Sequence, residues 1–84
     1  MNKTCFVYIL HCADNTLYTG WTTDIESRIE AHRRGTGAKY TRGRSPITLV
    51  YTEELPDKKS AMQRECAIKK LTRQKKLALI KGQT

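Results

Sequence analysis

At 84 residues and 9.6 kDa the chain can build one small core, which excludes a second domain. A hydrophobic fraction of 38% beside 29% charged residues fits a folded unit and excludes a disordered one, while the net charge of +8 directs attention to polyanions, of which DNA and RNA are the commonest in a cytoplasm.

The chain starts Met1-Asn2-Lys3-Thr4 and continues into an apolar run of six residues, 5–10. That run is too short for a signal h-region or for a membrane span of about 20 residues, so a cytoplasmic protein is expected. It is also bulky and β-favouring, and predicts a first strand over residues 5–12. Residues 13–16 are turn-like and residues 17–21 are β-favouring again, which makes a hairpin. With only four residues between them, the two strands must be antiparallel.

The register of this hairpin decides which side chains share a face. A two-residue turn at Asp14-Asn15 would separate Tyr8 from Tyr18. A three-residue loop at Asp14-Asn15-Thr16 keeps both on one face, with Asn15 or Asp14 supplying the left-handed residue such loops use.

Thr23, with Glu26 three residues later, reads as the capping box of a helix over residues 24–34, ended by Gly35 and Gly37. Ile25 and Ile29 give it an apolar stripe, and Arg28 and His32, four apart, project from the margin of that stripe. Residues 35–46 hold three glycines, a proline and several basic or hydroxyl groups without apolar periodicity, and read as a basic loop. A third strand is expected over residues 47–52, ended by Glu53, Glu54 and Pro56. Asp57 caps a helix over residues 58–71, and residues 74–81 form a short last helix in a basic tail. The order strand, strand, helix, strand, helix, helix gives an α/β chain of the α+β type, a small mainly antiparallel sheet covered by helices. Cys5, Cys12 and Cys66 are odd in number and lack zinc spacing, so all three read as free thiols, Cys5 and Cys66 as small core residues.

Charge is unevenly placed. Residues 31–52 carry Arg33, Arg34, Lys39, Arg42 and Arg44 with no acid, and residues 58–84 carry nine basic groups against Glu65 alone. Glu65 projects between Ala61 and Met62, inside an arc completed by Cys66, Ile68 and Leu71, where a carboxylate is costly unless compensated. One reading pairs it with Lys69 at i+4. The other makes it a carboxylate for Mg²⁺, which takes one protein oxygen and the rest from water and phosphate. Tyr8 and Tyr18 read as cross-strand packing or as hydroxyls that act as a general base or position water once a nearby metal and cationic groups lower their usual pKa of about 10. Arg28 is a surface charge or a bidentate phosphate clamp, and His32 a half-buried histidine or a proton relay.

Taken in order, Val7-Tyr8-Ile9, Tyr18-Thr19-Gly20, Arg28, His32 and the Arg64-Glu65 step resemble the GIY-YIG nuclease superfamily over essentially the whole chain. The length and the passage from Tyr18 to Asp24 look most like its short stand-alone bacterial members. The resemblance implies a three-stranded sheet flanked by three helices and a one-metal hydrolytic site for DNA, with Mg²⁺ or Mn²⁺ as the ion. It implies Glu65 as metal ligand, Tyr8 as general base, Tyr18 as water-positioning group, Arg28 as phosphate stabiliser and His32 as aid to proton transfer. Arg33, Arg34, Lys39, Tyr40, Arg42, Arg44 and Lys69 are candidate nucleic-acid contacts. Val7 replaces the first glycine of the motif, and no asparagine follows Asn15 where several members have a late one, leaving Thr72 or Gln74 as substitutes. Without an added DNA-binding domain, specificity would come from a protein partner, and the alternative is a basic nucleic-acid-binding module with little or no cleavage.

Overall fold

The computed structural model describes residues 4–36, 43 and 46–82. Its elements run β1 (Cys5–His11), β2 (Leu17–Thr22), α1 (Ile25–Arg33), β3 (Thr48–Leu55), α2 (Lys58–Lys69) and α3 (Arg73–Gly82). The three strands form one antiparallel sheet in the order β2-β1-β3, so the first strand is central and the second lies at an edge.

Strand alternation divides the molecule into two layers. Cys5, Val7 and Ile9 point to one side, where they join Tyr51, Ala61 and Ile68, with Trp21, Leu79 and Ile80 packed around them; α2 and α3 cover this face. Tyr8 and Leu10 point to the other side and meet Ile29, Ile47, Ile25 and Leu49, which is the α1 face. A bulge in β3 lets that strand serve both layers. Ile9 faces Tyr51 and Leu10 faces Leu49, leaving Val50 as the extra residue.

Of the two alternatives the hairpin takes a three-residue loop, placed one residue earlier than Asp14-Asn15-Thr16. His11 pairs with Leu17, the Cys12 N–H donates to the Thr16 carbonyl and the Asn15 N–H to that of Cys12, so the loop is 13–15. Asn15 adopts the left-handed conformation at φ 67°. Asp14 pins the return, accepting from the Thr16 N–H at 3.2 Å and hydroxyl at 2.6 Å. The shift moves the pairing by two positions, which preserves parity, and the two tyrosines still share a face.

Asp24, not Thr23, caps α1, accepting from the Ser27 N–H at 3.2 Å while Thr22 steadies the cap through the Asp24 N–H. A carboxylate outcompetes a hydroxyl at a helix N-terminus because the exposed N–H groups carry positive charge. The helix closes in a Schellman turn, with Gly35 at φ 80° and Thr36 reaching back to the Ala31 carbonyl. Asp57 caps α2 as expected.

Three expectations about the second half are corrected. Strand β3 continues through Glu53 and Glu54: Glu54 faces solvent and Glu53 is paired, so the acids do not end it. Helix α2 stops at Lys69, and its buried positions are Ala61 and Ile68. Met62 and Cys66 are exposed, because the helix lies on the sheet by a narrow stripe and these two residues sit past its margin.

Candidate active site

Tyr8 stands at the middle of the central strand, directly opposite Gly20. A Cβ on residue 20 would lie 2.5 Å from the Tyr8 hydroxyl and 2.7 Å from its Cζ, so the phenol ring lies across the glycine and is carried towards the β2 edge. Tyr18, two residues back on β2, flanks it with ring centroids 6.4 Å apart.

Helix α1 supplies the lid of this cluster. Ile29 is anchored in the α1-side core, and the residues one position before it and three after turn towards the sheet. His32 is completely buried, 3.0 Å from the Tyr8 hydroxyl through Nε2, with its ring 5.8 Å from that of Tyr8 and 5.4 Å from that of Tyr18. The Arg28 Nε–H donates to the Tyr8 hydroxyl at 3.3 Å and its guanidinium also engages Tyr18.

The direction of the proton follows from this geometry. Arg28 can only donate, so the Tyr8 oxygen accepts there and has its single O–H left to give. Burial, with the Arg28 charge beside it, holds His32 below its usual pKa of 6.5, so it is neutral near pH 7. A neutral ring presents one lone pair, and in the tautomer that places it on Nε2 the Tyr8 O–H donates there. Tyr8 itself is pushed above 10 by burial; Arg28 pulls it down, while Tyr18 and Glu65 push it up. The hydroxyl is therefore not a ready base by itself. Its proton has a neighbouring acceptor.

Glu65 approaches from α2, on the other layer, and its charge is felt at Tyr8. Its side chain is 22% exposed and lies 3.6 Å from the Lys69 ammonium. An i,i+4 pair of this kind contributes only about 0.3–0.5 kcal/mol, so the carboxylate is available to a stronger cation. Among the described residues no group of three or more His, Cys, Asp or Glu side chains comes together. A single carboxylate suits Mg²⁺ or Mn²⁺, which keep several waters, and does not suit an ion needing a protein cage.

The orientation of α2 depends on a cluster that the strand pattern alone only hints at. Glu53 accepts from the Tyr51 hydroxyl at 2.7 Å and from Arg64 Nε at 2.9 Å, joining β3 to the residue before Glu65. The available signal was the i,i+2 spacing of Tyr51 and Glu53, which puts both on the α2 face once the strand is extended past residue 52.

The remaining candidates are dispersed. Arg33 is exposed in the last turn of α1, and Arg34, also exposed, pairs with Glu30 at 3.2 Å. Lys69 is engaged with Glu65. Lys39, Tyr40, Arg42 and Arg44 lie outside the described residues. Thr72 caps α3 by accepting from the Lys75 N–H at 3.2 Å, so its hydroxyl already has a task, and Gln74 is exposed. No helix among the described residues is long and apolar enough to cross a membrane.

Comparison with known proteins agrees with this arrangement of elements. A UPF0213 protein of Streptococcus sanguinis is 52% identical over 84 residues, covering all of this chain and 97% of its own length. One of Natronomonas pharaonis is 56% identical over 79 residues, covering 94% and 93%. The solution NMR structure of a UPF0213 protein from Bacillus halodurans superposes with a TM-score of 0.61 at 50% identity, over 93% of this chain and 83% of that one. A solution NMR structure from E. faecalis gives 0.66 at 41% identity, over 98% and 90%. Residues 4–78 match the GIY-YIG catalytic domain, so the chain, with its paired tyrosine motifs on β1 and β2 and its β-β-α-β-α-α order, belongs to the GIY-YIG nuclease family.

Proposed function

We propose that the protein hydrolyses phosphodiester bonds in DNA, as a divalent-metal-dependent endonuclease using Tyr8, Tyr18, Arg28, His32 and Glu65. The observation that carries this reading is the chain of contacts from Arg28 to the Tyr8 hydroxyl to His32, made over a glycine whose missing Cβ leaves room for the phenol.

In this reading Tyr8 receives a proton from the attacking water as it passes its own to His32, and Arg28 stabilises the oxygen during the exchange. Neutral His32 is the proton sink, which relieves Tyr8 of the need for a low pKa. Arg28 also faces the phosphate, where its planar fork neutralises charge developing on the non-bridging oxygens. Tyr18 orients water beside Tyr8. Glu65 would hold one Mg²⁺ or Mn²⁺, and the ion, when bound, supplies Lewis-acid polarisation of the phosphoryl group and charge stabilisation of the leaving oxygen.

DNA is preferred to RNA here on family membership, since Lys and Arg bind both backbones. We read the protein further as a cytoplasmic, structure-selective nuclease of repair or recombination, with a protein partner adding specificity.

The test incubates branched, nicked and single-stranded DNA, and RNA, with Mg²⁺ or Mn²⁺ and compares the natural chain with Glu65→Ala and Tyr8→Phe. Cleavage by the natural chain that both variants lose supports the mechanism. Equal cleavage by all three would sink it. Binding without cleavage would leave a basic nucleic-acid-binding module.

A further inference from the structure

One concave feature of the molecule takes no part in this chemistry. A cleft of about 210 Å³ lies between the strand leaving the hairpin and the start of α3, lined by Thr16, Leu17, Arg73 and Lys76. Arg73 and Lys76 are three apart on a helix and rise from the same face. Neither forms an ion pair with an acid among the described residues. The acid next to the cleft in sequence, Asp14, accepts from both the N–H and the hydroxyl of Thr16. The cleft therefore presents two cations that form no ion pair among the described residues, against a polar strand end.

Its position is informative. Leu17 immediately precedes Tyr18, and adjacent strand residues point to opposite faces, so the cleft lies on the α3 side of the strand whose other face carries Tyr18. Strand β2 is an edge, with no further strand beyond it among the described residues to separate the two sides. A polynucleotide crossing that edge at the tyrosine cluster meets Arg73 and Lys76 next. Two cations in a concavity match a phosphodiester group: Arg supplies planar paired donors and Lys a mobile point charge.

We propose that Arg73 and Lys76 form a phosphate subsite that grips the substrate strand beside the scissile position, one that fixes where the strand leaves the site. This assignment rests on the nuclease reading for its substrate, but its test does not require cleavage.

Binding of a labelled single-stranded oligonucleotide is measured in EDTA over a series of salt concentrations. The comparison is Arg73→Gln/Lys76→Gln against Lys59→Gln/Lys70→Gln, which removes the same charge from exposed positions that do not line the cleft. The subsite variant should bind about tenfold more weakly, with a salt-dependence slope smaller by about one. The control variant should stay close to the natural chain. Equal affinities for the two double variants would overturn the proposal, as would amide NMR shifts on oligonucleotide addition that bypass Thr16, Leu17 and Lys76. If the subsite variant weakens binding yet Glu65→Ala cleaves like the natural chain, the subsite stands and the nuclease mechanism fails.

Discussion

Gly20 and Tyr8 are cross-strand partners that claim the same volume: the Tyr8 hydroxyl occupies the space a methyl group on residue 20 would need. Gly20→Ala must therefore move a ring that is 1% exposed and has no room to swing inward. Alanine is otherwise the better strand residue by about 0.5–1 kcal/mol, which offsets part of the clash. We expect a modest change in stability and a loss of cleavage of tenfold or more, read by thermal melting beside a nuclease assay. A variant that melts like the natural chain and cleaves at the same rate would show that the hydroxyl position is unimportant.

His32 sets a pH dependence. Its folded pKa is depressed, so below the unfolded value of about 6.5 the unfolded chain binds more protons than the folded one. The contribution of neutral, buried His32 to stability is thus fully present above 6.5 and is lost as pH falls through the folded pKa. Activity should decline over the same range, since a protonated ring can no longer take the Tyr8 proton. Melting temperature and cleavage rate measured from pH 8 to pH 5 should fall together. His32→Gln should flatten the His-linked part of the stability profile and reduce cleavage at every pH.

Arg28→Lys keeps the charge but forfeits the Nε–H that reaches Tyr8 at 3.3 Å and the contact with Tyr18. A lysine ammonium cannot make both contacts in one plane. The expected result is a fall in kcat of tenfold or more with little change in melting temperature, because the side chain is only partly buried.

Glu53 and Arg64 should be coupled. A double-mutant cycle with Glu53→Gln and Arg64→Met is expected to give an interaction of about 1 kcal/mol, at the low end for charged hydrogen bonds because both side chains are partly solvated. Each single variant should also slow cleavage if the pair holds α2 in the orientation that brings Glu65 to the site. A coupling near zero would mean that α2 is held by Ala61 and Ile68 alone.

Cysteine reactivity gives a simple check of the α2 packing. Cys66 should react with a thiol reagent in the native protein, whereas Cys5 and Cys12, both buried, should react only after denaturation. Three equivalents reacting under native conditions would contradict the two-layer core.

Much of the architecture was legible in the residues because short-range rules governed it: the antiparallel hairpin, the Asp57 cap and the i,i+4 placement of Arg28 and His32 all follow from local spacing. The misreadings arose where tertiary partners decided. Glu53 looked like the end of a strand, and only Arg64, eleven residues away, explains why an acid continues it. Met62 and Cys66 looked like core because periodicity assigns an arc its centre but not its width. Burial, which a sequence does not display, outweighs the Arg28 charge and raises the Tyr8 pKa.

The central strand has a consequence for how such a protein can change. Val7 and Ile9 are completely buried in one layer, and Tyr8 between them belongs to the other, so a partition one residue thick serves both as foundation and as workbench. A substitution that repacks the foundation shifts the tyrosine with it. New substrate preferences in this chain would thus have to arise at its margins, in the hairpin return and the start of α3, where side chains can vary without disturbing the strand that bears the Tyr8 hydroxyl.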